Sequence, residues 1–180
     1  MPAWLKDYDS SKFEKLSMTA DILIFSVSSE EVDNYRKTDK KKMSILLVKR
    51  DNYPFKDKWC LPGGFVSYEE DLDASPIRIL KKETNLEDIY LEQLYTFGSV
   101  NRDPRMRIVS TAYMALIDKN NFKSELTQNA KWFNVEIEYS KTNLVTLKLT
   151  NGEDKILVKA KKKLVEKTTG RYEYEIVENE

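Results

Sequence analysis

The chain of 180 residues has no histidine, which removes both the usual general base near neutral pH and the commonest side-chain ligand of transition metals. Any catalysis has to run on carboxylates, lysine, tyrosine or a hard metal ion. Cysteine occurs once, as Cys60, which excludes an intramolecular disulfide framework and suits a reducing, cytoplasmic compartment. Between Trp59 and Leu61 it reads as a buried rather than a reactive thiol. Net charge is absent too: 30 basic residues balance 30 acidic ones, so no whole-protein field favours nucleic acid or a membrane surface. No uncharged run reaches the roughly 20 residues of a membrane span. The start, Met1 to Asp7, lacks the basic and then apolar regions of a signal peptide.

What is present fits one domain. A fold near 150 residues buries roughly 70% of the surface its unfolded chain exposes, so it needs no staple. Residues 1–18 carry Trp4, Tyr8 and Phe13 without periodicity and read as an N-terminal arm; residues 19–180 read as a single domain. Apolar runs at Ala20–Ser28 and Met43–Arg50 are too continuous for a one-sided sheet and predict buried strands, with a solvated loop over 29–42. Pro54, Pro62, Gly63 and Gly64 punctuate a turn-rich segment. A helix is expected within Asp71–Thr84, with Ile77, Leu80 and Thr84 as its buried stripe and Leu72 at its entry. Asp73 or Ser75 would cap it, because Pro76 is tolerated only in the first turn, and Asn85 would close it in the left-handed conformation. Strands are expected at Ile89–Val100 and Arg107–Asp118, then a connector containing Trp132 and Phe133. A β-meander follows over about 143–178, with a two-residue hairpin at Asn151-Gly152 and a turn at Thr168-Thr169-Gly170.

One stretch carries chemistry. Gly64, five residues, Glu70, seven residues, Arg78, then Leu80, Glu83 and Leu86 resembles the Nudix box, G-x5-E-x7-R-E-U-x-E-E-x-G-U, opened by Leu61-Pro62-Gly63-Gly64. In this chain the Glu after the motif Arg is Ile79, the first of the paired Glu residues is Lys82, and the motif Gly is Asn85. Positions 79, 82 and 83 share one helix face. In the family, carboxylates on that face hold Mg²⁺ or Mn²⁺ against a diphosphate, and the ion neutralises charge and positions the attacking water. Here Glu83 alone is retained as a candidate metal ligand, so metal binding is expected to be weak and hydrolysis weak or lost. Gly64, Glu70, Arg78, Leu80 and Leu86, which shape the loop, are kept. Ile79 reads as an extension of the core stripe. Lys82 is either a solvated helix residue or a cation standing in for the metal. Glu69-Glu70-Asp71 is a solvated acidic run or the source of a displaced ligand.

The second cluster is Arg102-Asp103-Pro104-Arg105-Met106-Arg107, suited to bidentate phosphate contacts or to a salt-bridged loop. With the flanking segments around Tyr95-Thr96-Phe97-Gly98 and Thr111-Ala112-Tyr113, it is similar to the ADP-ribose branch of Nudix proteins, and particularly to the Nudix-related transcriptional regulators of NAD metabolism. That resemblance implies an α/β fold, a Nudix α/β/α sandwich with a mixed β-sheet, here with extra C-terminal hairpins. It implies binding of ADP-ribose or a relative by a non-catalytic sensor, with Arg102 and Arg105 on phosphates, Lys82 or Glu83 beside them, and Phe65 or Trp59 (alternatively Phe97 or Trp132) on the adenine. An active pyrophosphatase using relocated carboxylates such as Glu70 is the competing expectation. A homodimer through the N-terminal arm is also implied. Those regulators continue into a winged-helix domain, and nothing in this chain resembles a recognition helix. DNA would therefore be reached only through a domain absent from it. The Lys159–Lys163 run reads as a solvated sheet edge.

Overall fold

A computed structural model describes residues 9–30, 40–120, 125–166, 168 and 171–179. The first apolar run forms β1 (Ser17–Glu30) and the second β2 (Lys40–Lys49), paired antiparallel from Phe25↔Ile45 to Glu30↔Lys40. The expected loop over 29–42 is therefore strand at both ends, because Ser29 and Lys41 continue the ladder; residues 31–39 lie outside the described residues. Two short strands follow, β3 (Trp59–Cys60) on β2 and β4 (Gly63–Phe65) on β1. After helix α1 (Ala74–Thr84) come β5 (Glu92–Phe97), shorter than expected, and β6 (Ile108–Ile117). The rest is a meander of β7 (Ala130–Tyr139), β8 (Leu144–Thr150), β9 (Lys155–Glu166) and β10 (Arg171–Asn179).

These strands form one mixed sheet in the order β10-β9-β8-β7-β2-β1-β6-β5, in which β1 and β6 run parallel and the other adjacent pairs antiparallel. The fold is thus α/β, although α1 is the one α-helix among the described residues. Successive side chains of a strand point to opposite faces. On β2, Leu46 and Val48 join Ile22, Ile24, Ile79 and Leu80 in one buried cluster, while Ile45 and Leu47 join Phe133 and Leu149 in a second. Both faces of β2 are therefore covered, as its continuous apolar run requires.

Three further expectations need correction. Ile77 is 58% exposed, while Leu80 and Thr84 are buried as expected, together with Ile79. Pro76 fixes this phase: its ring packs inward near the helix start, and a step of three or four residues from it reaches 79 and 80. Trp132 and Phe133 lie in β7 rather than a connector, because Phe133 is fully buried against β2 opposite Ile45. Asn151-Gly152 does not form a two-residue turn. The connection runs from Asn151 to Asp154, where the Asn151 side-chain oxygen accepts the amides of Glu153 and Asp154 and Gly152 takes φ +93°. The turn expected at 168–170 falls largely outside the described residues.

Candidate functional site

The site is assembled on β1. β4 is sewn to it through Thr19↔Phe65, Ala20↔Gly64 and Asp21↔Gly63, extended by the Ile22 amide donating to the Pro62 carbonyl (2.8 Å) and the Val66 amide to the Met18 carbonyl (3.0 Å). At Gly63 a Cβ would stand 2.4 Å from Asp21 Oδ1 and 3.2 Å from the Ala20 carbonyl oxygen, so a side chain there would have to displace Asp21. At Gly64 a Cβ would meet only Ile79, at an ordinary contact distance of 3.5 Å.

From β4 the chain loops into α1, and this loop is held by one ion pair. Arg78 donates from Nε to Glu70 Oε1 and from Nη2 to Oε2, both at 2.7 Å, and Nη2 also reaches the Phe65 carbonyl at 3.1 Å. Ser75 Oγ (2.6 Å) and the Ser67 amide (3.3 Å) complete the shell of Glu70. The Arg78 hydrogen bonds, followed by Ser75, hold the Glu70 carboxyl at a pKa of about 2. Asp73 occupies the N-cap position, but its carboxylate does not cap the helix; it accepts the Tyr113 hydroxyl at 2.9 Å. At the other end Asn85 takes φ 61°, so an asparagine fulfils the left-handed role of the motif glycine. Its side chain donates to the Glu125 carbonyl at 2.9 Å.

Glu83, like Arg78, reaches β4, where it accepts the Gly63 amide at 3.0 Å. Burial pushes its pKa up, against the Gly63 hydrogen bond and the neighbouring Lys82 and Arg50 charges. Arg50, just past the end of β2, also lies beside Cys60, whose thiol burial raises. The Arg50 Nε is buried and has no hydrogen-bond partner among the described residues. Asp21 accepts a short hydrogen bond from Ser110 Oγ.

A cavity of about 620 Å³ joins these parts, with Asp21, Arg50, Phe65, Lys82, Glu83 and Arg102 among the residues around it. Arg78, Ile79 and Arg105 also reach it. Arg102, Arg105, Lys82, Glu83 and Phe65, singled out separately along the sequence, therefore share one space. Trp59 does not line it; it packs edge-on against Phe133 with ring centroids 5.0 Å apart, and with other residues lines a neighbouring depression. Phe97 packs on Tyr95 at a distant part of the sheet, and Trp132 lies against the core under Lys119. Arg105 is bound to Asp103 at 2.8 and 3.0 Å, and Arg107 ties down the Gly98 and Ser99 carbonyls. Sequence reading passed over Arg50, Asn52 and Asp21, all of which line this cavity. The one signal was at Arg50, a cation closing an apolar strand where the loop begins.

The NUDIX domain family matches residues 31–158. The chain is 36% identical to the ADPR responsive transcriptional repressor NtrR of Acinetobacter baylyi over 138 residues, covering 74% of this chain and 51% of the relative. It is 40% identical to the ADP-ribose pyrophosphatase of Methanocaldococcus jannaschii over 70 residues, covering 39% of this chain and 41% of the relative. The chain thus spans about half the length of these curated relatives, or less. Among solved structures, a MutT/nudix family protein from Enterococcus faecalis superposes with a TM-score of 0.66 at 28% identity, over 86% of this chain and 56% of the other. The NUDIX domain of Shewanella oneidensis NrtR complexed with ADP ribose gives 0.55 at 29% identity, over 73% of this chain and 82% of the other.

Proposed function

This chain belongs to the NUDIX family, and we propose that its box pocket binds a nucleoside diphosphate derivative of the ADP-ribose class without hydrolysing it, as the sensing part of a transcriptional regulator. The observation that carries this reading is the division within the box. The loop-holding pair Glu70–Arg78 is intact at 2.7 Å, whereas the helix face toward the ligand offers Ile79 and Lys82 beside Glu83. A site kept in shape but short of carboxylates suits recognition better than turnover. The loop with Arg102 and Arg105 borders the same cavity, where guanidinium groups suit phosphate oxygens. The relatives named for ADP-ribose support the ligand class.

The competing reading, a pyrophosphatase, has one observation in its favour: Asp21 and Glu83 both approach Gly63, so a carboxylate from β1 stands near the residual box glutamate. Calorimetric titration with ADP-ribose in excess Mg²⁺, followed by analysis of the ligand recovered, separates the two. Saturable heat with intact ADP-ribose is the expected result. Sustained heat with AMP and ribose phosphate appearing would establish the enzyme. Within the sensor reading the chain acts as a homodimer in the cytoplasm and reaches DNA only through a further domain. Exposed Tyr95, Phe97 and Tyr172, gathered at one depression, support self-association, which gel filtration tests.

A further inference from the structure

The fold family implies Mg²⁺ or Mn²⁺ at this box, and the residues present do not fit one. Magnesium takes an octahedron of oxygens, commonly one or two carboxylates together with phosphate and water. Glu70 cannot turn toward it, because both of its oxygens are occupied by Arg78, Ser75 and the Ser67 amide. Of the remaining carboxylates, Glu83 is engaged by the Gly63 amide and Asp21 by Ser110. Among the described residues no three histidine, cysteine, aspartate or glutamate side chains gather where they would hold a metal ion. The helix face that should supply further oxygens presents the buried alkyl chain of Ile79 and the ammonium of Lys82.

The same cavity has a surplus of cations. Once Arg78 is paired with Glu70 and Arg105 with Asp103, Arg50, Lys82 and Arg102 remain around Asp21 and Glu83. Lys82 and Arg102 act on Glu83 and Asp103 by charge alone, with no side-chain hydrogen bond or close ion pair among the described residues, and the buried Arg50 Nε–H lacks an acceptor. A buried donor without a partner costs free energy that an incoming acceptor recovers. A dication placed beside Arg50 and Lys82 would be repelled by both, whereas a dianionic diphosphate would be drawn to them.

Building on the binding function proposed above, we infer that Arg50 and Lys82 take the place of the metal, so that this site holds a diphosphate without any divalent ion. Lys82 supplies a point charge from the helix and Arg50 a planar fork from the end of β2. The ammonium at 82 stands where the family places a metal-holding carboxylate, which reverses the sign of the site at its centre.

The test is titration of the full chain with ADP-ribose, in excess EDTA and in excess Mg²⁺. Equal affinity in the two buffers is expected. Lys82→Glu should weaken binding in EDTA by about tenfold or more, while Lys82→Arg, which keeps the charge, should stay close to the parent chain. Arg50→Met should show a similar loss, with circular dichroism establishing that it is folded; Arg50→Lys should recover part of it. Binding that requires Mg²⁺ would overturn the inference and leave the proposed function standing. Undiminished binding by Lys82→Glu in EDTA would do the same. Absence of binding in either buffer would overturn both.

Discussion

Arg78 and Glu70 are joined by two hydrogen bonds of 2.7 Å, and this pair, eight residues apart in sequence, fixes the loop between β4 and α1. Arg78 first, and Ser75 next, hold the Glu70 carboxyl at about 2, below its ordinary 4.5. A carboxyl depressed in the folded state contributes stability that is present above its unfolded value and is lost as pH falls through the folded one. The loop should therefore keep its geometry through pH 3 to 4 and loosen toward about 2. NMR titration of side-chain carboxyl carbons checks this: Glu70 should titrate near 2 in the parent chain and return toward its ordinary range in Arg78→Ala.

Restoring the two missing box glutamates should have unequal effects. Ile79 is 3% exposed and packs under Gly64. Ile79→Glu would bury a carboxylate without a partner and should destabilise the fold by roughly 3–5 kcal/mol. Lys82 is exposed on the cavity wall, so Lys82→Glu should stay within about 0.5 kcal/mol of the parent chain. Urea denaturation of the two variants reads the difference directly. Similar midpoints would mean that Ile79 can swing out of the core.

Gly63→Ala should cost roughly 1–3 kcal/mol, because its Cβ would overlap Asp21 Oδ1. Asp21→Ala in the same chain removes that overlap, while the Ala20 carbonyl at 3.2 Å remains. The double variant should then be more stable than the sum of the single changes by at least about 0.5 kcal/mol. Strict additivity in a double-mutant cycle would show that Asp21 does not press on the box.

Tyr113 donates its hydroxyl to Asp73 at the start of α1, and burial together with that acceptor pushes its pKa up to about 12 from 10. For an acid raised by folding, the contribution is complete below the unfolded pKa and disappears as pH rises through the folded one. Alkaline unfolding should therefore set in between 10 and about 12. Tyr113→Phe should lower stability by about 1 kcal/mol at neutral pH, since Asp73 can still turn to water. Ultraviolet titration of the phenols, parent against variant, checks the assignment by the loss of one late-titrating group.

The box spacing put positions 79, 82 and 83 on one helix face, because 3.6 residues per turn fixes relations over a few residues, and Ile79, Lys82 and Glu83 do line one cavity. It placed Leu80, Thr84 and the left-handed Asn85 for the same reason, and the continuous run of β2 announced a strand covered on both faces. It also put Ile77 inside, which the inward packing of Pro76 leaves exposed, while Ile79, read as an extension of the stripe, is buried. The pocket itself was not legible in this way. Asp21, Arg50, Gly63 and Arg102 meet only because β4 is laid against β1 and the loop before β6 comes down beside them. Likewise, whether Glu70 was a spare ligand or a strut depended on where Arg78 and Ser75 donated. Local periodicity determined the helix, the strand faces and the scaffold of the site. The pairing of β4 and β6 with β1, which brings segments distant in sequence together, decided its charge.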